Sequence, residues 1–178
     1  KRLGAKHTVA VTEAGRLAYW SHSRIEDMHG LNTLETAKNP PGPEYWRRIH
    51  PDLVIFQHSG TLDMRRWQNT AGKPVISIDR EELSRALKPE YSPIFKKGIQ
   101  SYRQASIKRG MVLPVLLAKY LYEENDYDFY AVRYWSRHRP PNYCHIYAFR
   151  KNLPEKEAIL EDLRKVQSGF FESYAKLK

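Results

Sequence analysis

Short apolar runs separated by turn residues and helical patterns dominate the first half of the chain. Residues 7–12 (HTVAVT), 53–57 (LVIFQ) and 74–78 (PVISI) have the length and apolar character of buried strands, and residues 24–28 predict a further strand. Helical patterns at 44–49 and 61–69 lie between them, the second with Leu62 and Trp67 as apolar anchors. This alternation of strands and helices predicts a mainly parallel sheet covered on both faces.

The second half of the chain has a different pattern. Residues 93–109 and 111–124 predict two helical stretches separated by Gly110. Residues 128–135 and 143–150 are aromatic, alternating runs joined by a polar link that contains proline, which predicts an antiparallel hairpin. Pro154 then begins an amphipathic helix. Its apolar positions recur at helical spacing at Ile159, Leu163, Val166, Phe170 and Tyr174.

These patterns predict one soluble domain over residues 1–178. The expected fold is a three-layer α/β domain whose mostly parallel sheet is extended by an antiparallel C-terminal hairpin and covered by a docked C-terminal helix. No internal repeat or linker interrupts the sequence. The most apolar stretch, at 111–121, is shorter than the ~20 residues that cross a bilayer, so any membrane anchor is expected outside this chain.

The net charge of +10 is concentrated in one region. Residues 93–151 carry 11 basic and 4 acidic side chains, a net +7. Such an excess favours nucleic acid, anionic lipid headgroups or phosphorylated substrates, and the alternative is a basic face that only keeps the domain soluble. We expect a basic surface formed by Lys96, Lys97, Arg103, Lys108 and Arg109.

Motifs of nucleotide, metal and nucleophilic chemistry are missing from the sequence. The turn after the first strand lacks the glycines of G-x-G-x-x-G, and no G-x-x-x-x-G-K-[ST] occurs. The seven histidines show no paired zinc-site spacing, and Cys144 is predicted to be a small buried hydrophobe in a strand. We therefore expect no cofactor, no metal site and no catalytic residue in this chain.

The most informative polar cluster follows the first two predicted strands. The carboxyl ends of parallel strands meet at one edge of a sheet, where open α/β folds bind ligands. Side chains that offer both hydrogen-bond donors and acceptors suit a polyhydroxylated ligand. The candidate ligand-binding residues are Glu13, Arg24, Asp27, His29 and Asn32. The alternative is that Asp27 and Glu13 only tie down loops, with Asn32 as a local turn former.

Three segments resemble the soluble C-terminal domain of bacterial GT-C-type membrane glycosyltransferases, a group similar to the mannosyl- and arabinofuranosyltransferases of envelope biosynthesis. They are residues 9–21 (VAVTEAGRLAYWS), 25–32 (IEDMHGLN) and 51–56 (PDLVIF). In that family an acid precedes Ala-Gly, a tyrosine-serine pair follows, and an Asp-x-x-Gly-Leu-Asn run comes next. Here Trp20 interrupts the tyrosine-serine pair.

The resemblance implies a location and a set of partners. The catalytic aspartate of such enzymes lies near the first transmembrane helices, the donor is a polyprenyl-phosphate sugar, and the soluble domain sits on the extracytoplasmic face of the bacterial cytoplasmic membrane. The chain would then be the C-terminal part of a longer membrane protein. Its expected partners are the membrane portion of the same polypeptide, an acceptor glycan or lipid-linked sugar, and the anionic membrane surface.

Two other function classes are compatible with the sequence. A stand-alone nucleic-acid-binding module would use the same positive charge, with aromatic and basic residues alternating along one strand of the hairpin region. The residues in question are Arg133, Trp135, Arg137 and Arg139. No RNA-binding signature accompanies them. A stand-alone soluble α/β transferase is the third hypothesis.

Overall fold

The computed structural model describes residues 3–12, 22–28, 41–57, 61–63, 67, 73–98, 109–136 and 139–175, with the backbone alone at 109–110, 134–136, 139–143 and 167–175. The strands in these ranges are β1 (Thr8–Val11), β2 (Arg24–Asp27), β3 (Leu53–Phe56), β4 (Val75–Ile78), β5 (Tyr127–Ser136) and β6 (Arg139–Arg150). The helices are α1 (Pro43–Ile49), α2 (Arg80–Arg85), α3 (Ser92–Lys97), α4 (Arg109–Glu123) and α5 (Lys156–Ala175), with a 3-10 turn at Pro89–Tyr91.

One sheet joins the strands in the order β2-β1-β3-β6-β5-β4. Strands β2, β1 and β3 are parallel, whereas β3–β6, β6–β5 and β5–β4 are antiparallel pairs. Because β5 is antiparallel to β6, it runs in the direction of β1, β2 and β3. The α/β class, the hairpin and the C-terminal helix are confirmed. The hairpin, however, lies inside the sheet between β3 and β4 and does not extend one edge.

Two apolar cores lie on opposite faces of the sheet and complete three layers. On one face, Trp46 of α1, Leu83 of α2 and Leu117 of α4 pack with strand residues such as Phe56 and Ile146. On the other face, Leu160 of α5 packs with β1, β3, β4 and β5 through Val9, Val11, Leu53, Ile55, Val75 and Val132. The sheet is therefore covered by helices on both sides, which suits its apolar parallel strands.

Local sequence signals explain how two short helices begin and end. Asp79 accepts a hydrogen bond from the backbone N–H of Glu82, and the Glu82 side chain accepts one from the backbone N–H of Asp79, a capping box at the start of α2. Helix α3 ends at Gly98, whose φ of 80° is a conformation that favours glycine. The helical pattern predicted over 93–109 is observed up to Lys97, and its residues 99–108 lie outside the described residues.

Three predictions about elements need correction. A helix is predicted over residues 61–69, but Leu62 forms an isolated antiparallel bridge with Leu87. Trp67 has 3-10 geometry, and residues 64–66 and 68–69 lie outside the described residues. The anchors Leu62 and Trp67 are nevertheless buried, as predicted. Gly110 does not separate two helices, because it lies within α4. Val166 was expected on the docked face of α5 but is 53% exposed, whereas Leu160 is fully buried there.

No helix in the ranges that the structure describes is both long enough and apolar enough to cross a bilayer.

Candidate functional site

The carboxyl ends of β2, β1 and β3 lie side by side at one edge of the sheet. Val11 pairs with both Asp27 of β2 and Ile55 of β3. Hydrogen bonds extend this alignment beyond the strands: the backbone N–H of Thr12 donates to Ile55 O at 3.2 Å. The backbone N–H of Gln57 in turn donates to Thr12 Oγ1 at 2.8 Å. Three polar residues, Thr12, Asp27 and Gln57, therefore lie at this edge, and Asp27 is the one that belongs to the predicted ligand-binding set.

Asp27 is the candidate ligand-binding residue that the structure places at this edge. It is 1% exposed and shares the face of the sheet that carries Val9 and Val11. A buried carboxylate must be hydrogen-bonded or paired, and Asp27 has such a partner. Its burial favours the interpretation that Asp27 holds the strand ends together.

Arg24 does not lie beside Asp27. It pairs with Thr8 at the amino end of β2, three residues and about 10 Å from Asp27 along the strand. Strand alternation also places the two side chains on opposite faces. Arg24 Nε donates to Glu26 Oε1 at 2.7 Å, and Glu26 Oε2 accepts from Tyr45 Oη at 2.6 Å. Arg24 therefore belongs to a cluster that joins β2 to α1.

Glu13, His29 and Asn32 lie outside the described residues. Their grouping with Asp27 as a ligand site stays a prediction.

The predicted basic surface is represented by two exposed side chains. Lys96 and Lys97 lie at the end of α3 and are both exposed. Arg103 and Lys108 lie outside the described residues, and only the backbone of Arg109 is described, at the start of α4. Part of the positive charge of residues 93–151 is neutralised within the domain, because Lys119 forms an ion pair with Glu123 at 2.7 Å.

A largely buried ion cluster that sequence analysis missed lies at the other end of these strands, next to the amino ends of β1 and β3. Asp52, just before β3, accepts a hydrogen bond from the Thr8 backbone N–H at 3.0 Å and pairs with Arg150 at the end of β6. His7 lies between two carboxylates, with Nδ1 3.5 Å from Asp52 Oδ2 and Nε2 3.3 Å from Glu155 Oε1. The cluster joins β1, β3, β6 and the residue just before α5.

A second layer of polar contacts continues this cluster toward α4. The His50 ring contacts the carboxylate of Asp126, and His50 Nδ1 lies 3.5 Å from Arg150 Nη1. The Tyr127 hydroxyl donates to Pro51 O at 2.7 Å and lies 2.9 Å from the Tyr120 hydroxyl. Burial raises the pKa of Tyr120 to about 12 and that of Tyr127 further still, so both remain neutral hydrogen-bonding groups. These contacts connect α4, β5 and β6 to residues 50–51, next to the amino ends of β1 and β3.

Cys144 is inert, as its position in a strand predicted. Its side chain is fully buried in the core, and burial raises the pKa of the thiol to about 11. A thiol with a raised pKa holds little of the reactive thiolate at neutral pH.

No group of three or more metal-ligating side chains occurs among the residues that the structure describes.

Substitution of Asp27 should reveal whether its carboxylate stabilises the fold. We expect Asp27→Ala to lower the free energy of unfolding by about 1–3 kcal/mol, because the buried interaction partner of this carboxylate is left unsatisfied. Glu161→Ala, at a side chain 53% exposed, is the matched control and should change stability by less than about 0.5 kcal/mol. Urea titration measures both. Unchanged stability of Asp27→Ala would instead assign the carboxylate to a ligand.

Comparison with known proteins assigns the chain to a family. Residues 1–170 match the DUF8728 family, described as a domain of unknown function, and the chain belongs to that family. No curated protein and no solved structure matches it.

Proposed function

We propose that this member of the DUF8728 family is the extracytoplasmic accessory domain of a polyprenyl-phosphate-sugar-dependent membrane glycosyltransferase. In this proposal the domain contacts the acceptor glycan or the membrane surface and carries no catalytic centre of its own. The membrane portion of the same polypeptide supplies the catalytic residues and holds the lipid-linked donor.

One observation supports the proposal above the others. The three segments that resemble GT-C soluble domains, residues 9–21, 25–32 and 51–56, are separate in the sequence. Their described parts form β1, β2 and β3, which are neighbouring parallel strands with aligned carboxyl ends. The described parts of the resemblance therefore form one contiguous structural unit, as expected if the segments share an origin and a ligand edge with that family.

Membrane contact is tested by binding to lipid vesicles. We expect weak binding of the domain to vesicles with anionic lipids and loss of that binding in high salt, because exposed charges are screened within ~8 Å at physiological ionic strength. Each basic residue near an anionic surface contributes about 1 kcal/mol. Replacing Lys96, Lys97, Lys108 and Arg109 by glutamine should therefore weaken binding while the circular dichroism spectrum stays unchanged.

The same experiment separates the competing functions. Equal binding to neutral and anionic vesicles would reject the membrane-facing role of this surface. Tight, salt-sensitive binding to single-stranded RNA without binding to vesicles would favour the nucleic-acid-binding module. Contact with the acceptor is measured by titrating the domain with an envelope glycan, where saturable chemical-shift changes next to Asp27 are expected.

A further inference from the structure

A groove opens between α2, α3 and α4 on the outer surface of the domain. Its volume is about 350 Å³, within the range of small-molecule sites. Its lining includes Lys119 and Glu123 from the last part of α4, which leads into β5. Tyr127 at the start of β5 pairs with Arg150 at the end of β6, and the end of β6 pairs with the start of β3. The groove therefore lies toward the amino ends of β1 and β3. It is thus separate from the edge that carries Asp27.

Three side chains from two elements present hydrogen-bond donors to this groove. They are the ammonium group of Lys96 and the hydroxyls of Ser84 and Ser92. Within the described part of the chain, no hydrogen bond or ion pair joins any of these three side chains to another group. The groove therefore offers donors that no described residue engages and that a ligand can engage.

The acidic side chain in the lining is already neutralised. Glu123 Oε1 lies 2.7 Å from the ammonium group of Lys119, and Glu123 Oε2 lies 2.5 Å from Arg47 Nη2. Neighbouring Glu124 accepts from Arg47 Nε at 2.7 Å. With the carboxylates paired, Lys96 sets the sign of the local charge, and an anionic ligand is favoured over a cationic one.

Two aromatic side chains also line the groove. Phe95 and Tyr122 are in edge-to-face contact, with ring centroids 5.4 Å apart, and both are half-buried. Arg80 lies over the Tyr122 ring at 5.7 Å, and the Tyr122 hydroxyl donates to Glu81 at 3.2 Å. These contacts fix the two rings, which give a ligand an apolar surface within the same groove.

We propose that this groove binds a soluble phosphate monoester with a small organic group. The terminal oxygens of such a phosphate accept from the Lys96 ammonium and the two serine hydroxyls, and a charged acceptor makes these hydrogen bonds stronger than those to a neutral one. Lysine binds phosphate as a point charge. The organic group packs against Phe95 and Tyr122. This site goes beyond the accessory role proposed above and does not depend on it.

The experiment is a titration of the ¹⁵N-labelled chain with glucose 6-phosphate, followed by amide chemical shifts. Saturable shifts are expected around Ser84, Ser92 and Lys96, and glucose at the same concentration should leave them unchanged. Lys96→Gln should weaken binding about tenfold, because it removes a charge-assisted hydrogen bond. Lys97→Gln is the matched control: the neighbouring lysine is also exposed but does not line the groove, and its loss should change the Kd less than twofold.

Three results would overturn the proposal. The first is the absence of saturable shifts, and the second is equal weakening by Lys96→Gln and Lys97→Gln, which indicates diffuse charge attraction. The third is binding to vesicles with phosphatidic acid without binding to glucose 6-phosphate or inorganic phosphate, which assigns the phosphate preference to a lipid surface. In the vesicle assay the two lysine variants are expected to weaken binding equally, so failure of this site and failure of the membrane role are distinguishable.

Discussion

Replacing Asp52 by alanine should lower the free energy of unfolding by about 3 kcal/mol, the lower end of the cost of breaking a buried ion pair, because Arg150 is partly exposed. The Asp52 side chain is only 10% exposed, and it serves the Thr8 backbone N–H, Arg150 and His7 together. Its removal leaves the Arg150 guanidinium, 30% exposed, without its carboxylate at the junction of β1, β3 and β6. Urea unfolding followed by tryptophan fluorescence measures the change.

Two further variants identify the cause of that loss. Asp52→Asn keeps an acceptor for Thr8 but removes the charge that pairs with Arg150, so its cost should be smaller than that of Asp52→Ala. Glu44→Ala is the exposed control: its side chain is 84% exposed and 3.9 Å from Arg47, and such surface pairs contribute about 0–1 kcal/mol. A cost for Asp52→Ala no larger than that for Glu44→Ala would contradict the structural role of the buried cluster.

Strand existence was the most predictable part of the fold. The runs at 7–12, 24–28, 53–57 and 74–78 became β1, β2, β3 and β4 with boundaries shifted by one residue at most. Apolar runs bounded by turn residues are strong local signals because burial and backbone propensity agree. The hairpin was also predicted, and its first strand places Phe129 and Ala131 in one core and Val132 in the other.

Strand order was less predictable. Leu53 of β3 pairs with Phe149 of β6, a partner that local sequence patterns do not specify. Consecutive strands are neighbours in only about two-thirds of cases. The hairpin was expected at one edge of the sheet, but β6 pairs with the non-consecutive strand β3, which places the hairpin inside the sheet. The packing of helix α5 was also hard to predict. Its periodic pattern includes Val166, but the pattern does not show how far along the helix the sheet extends, and Val166 is exposed.

The candidate site was predictable only in part. Parallel strands at consecutive positions correctly placed Asp27 at the carboxyl edge beside β1. Arg24 was misplaced because proximity in sequence was taken for proximity in space, whereas β2 holds it at the opposite end. The cluster around Asp52 involves Arg150 and Glu155, about a hundred residues later, and only the polar residues just before β1 and β3 hinted at it. The Asp79–Glu82 capping box was a local signal that could have predicted α2.

The most direct test of the accessory-domain proposal is sugar transfer from a polyprenyl-phosphate donor to an envelope glycan. Two samples are compared: membranes carrying the protein expressed from its complete coding sequence, and the purified chain of residues 1–178. We expect transfer by the membranes and none by the purified chain, because the proposal assigns the catalytic residues and the donor site to the membrane portion. Sustained turnover by the purified chain, or a complete coding sequence without membrane-spanning segments, would contradict the account.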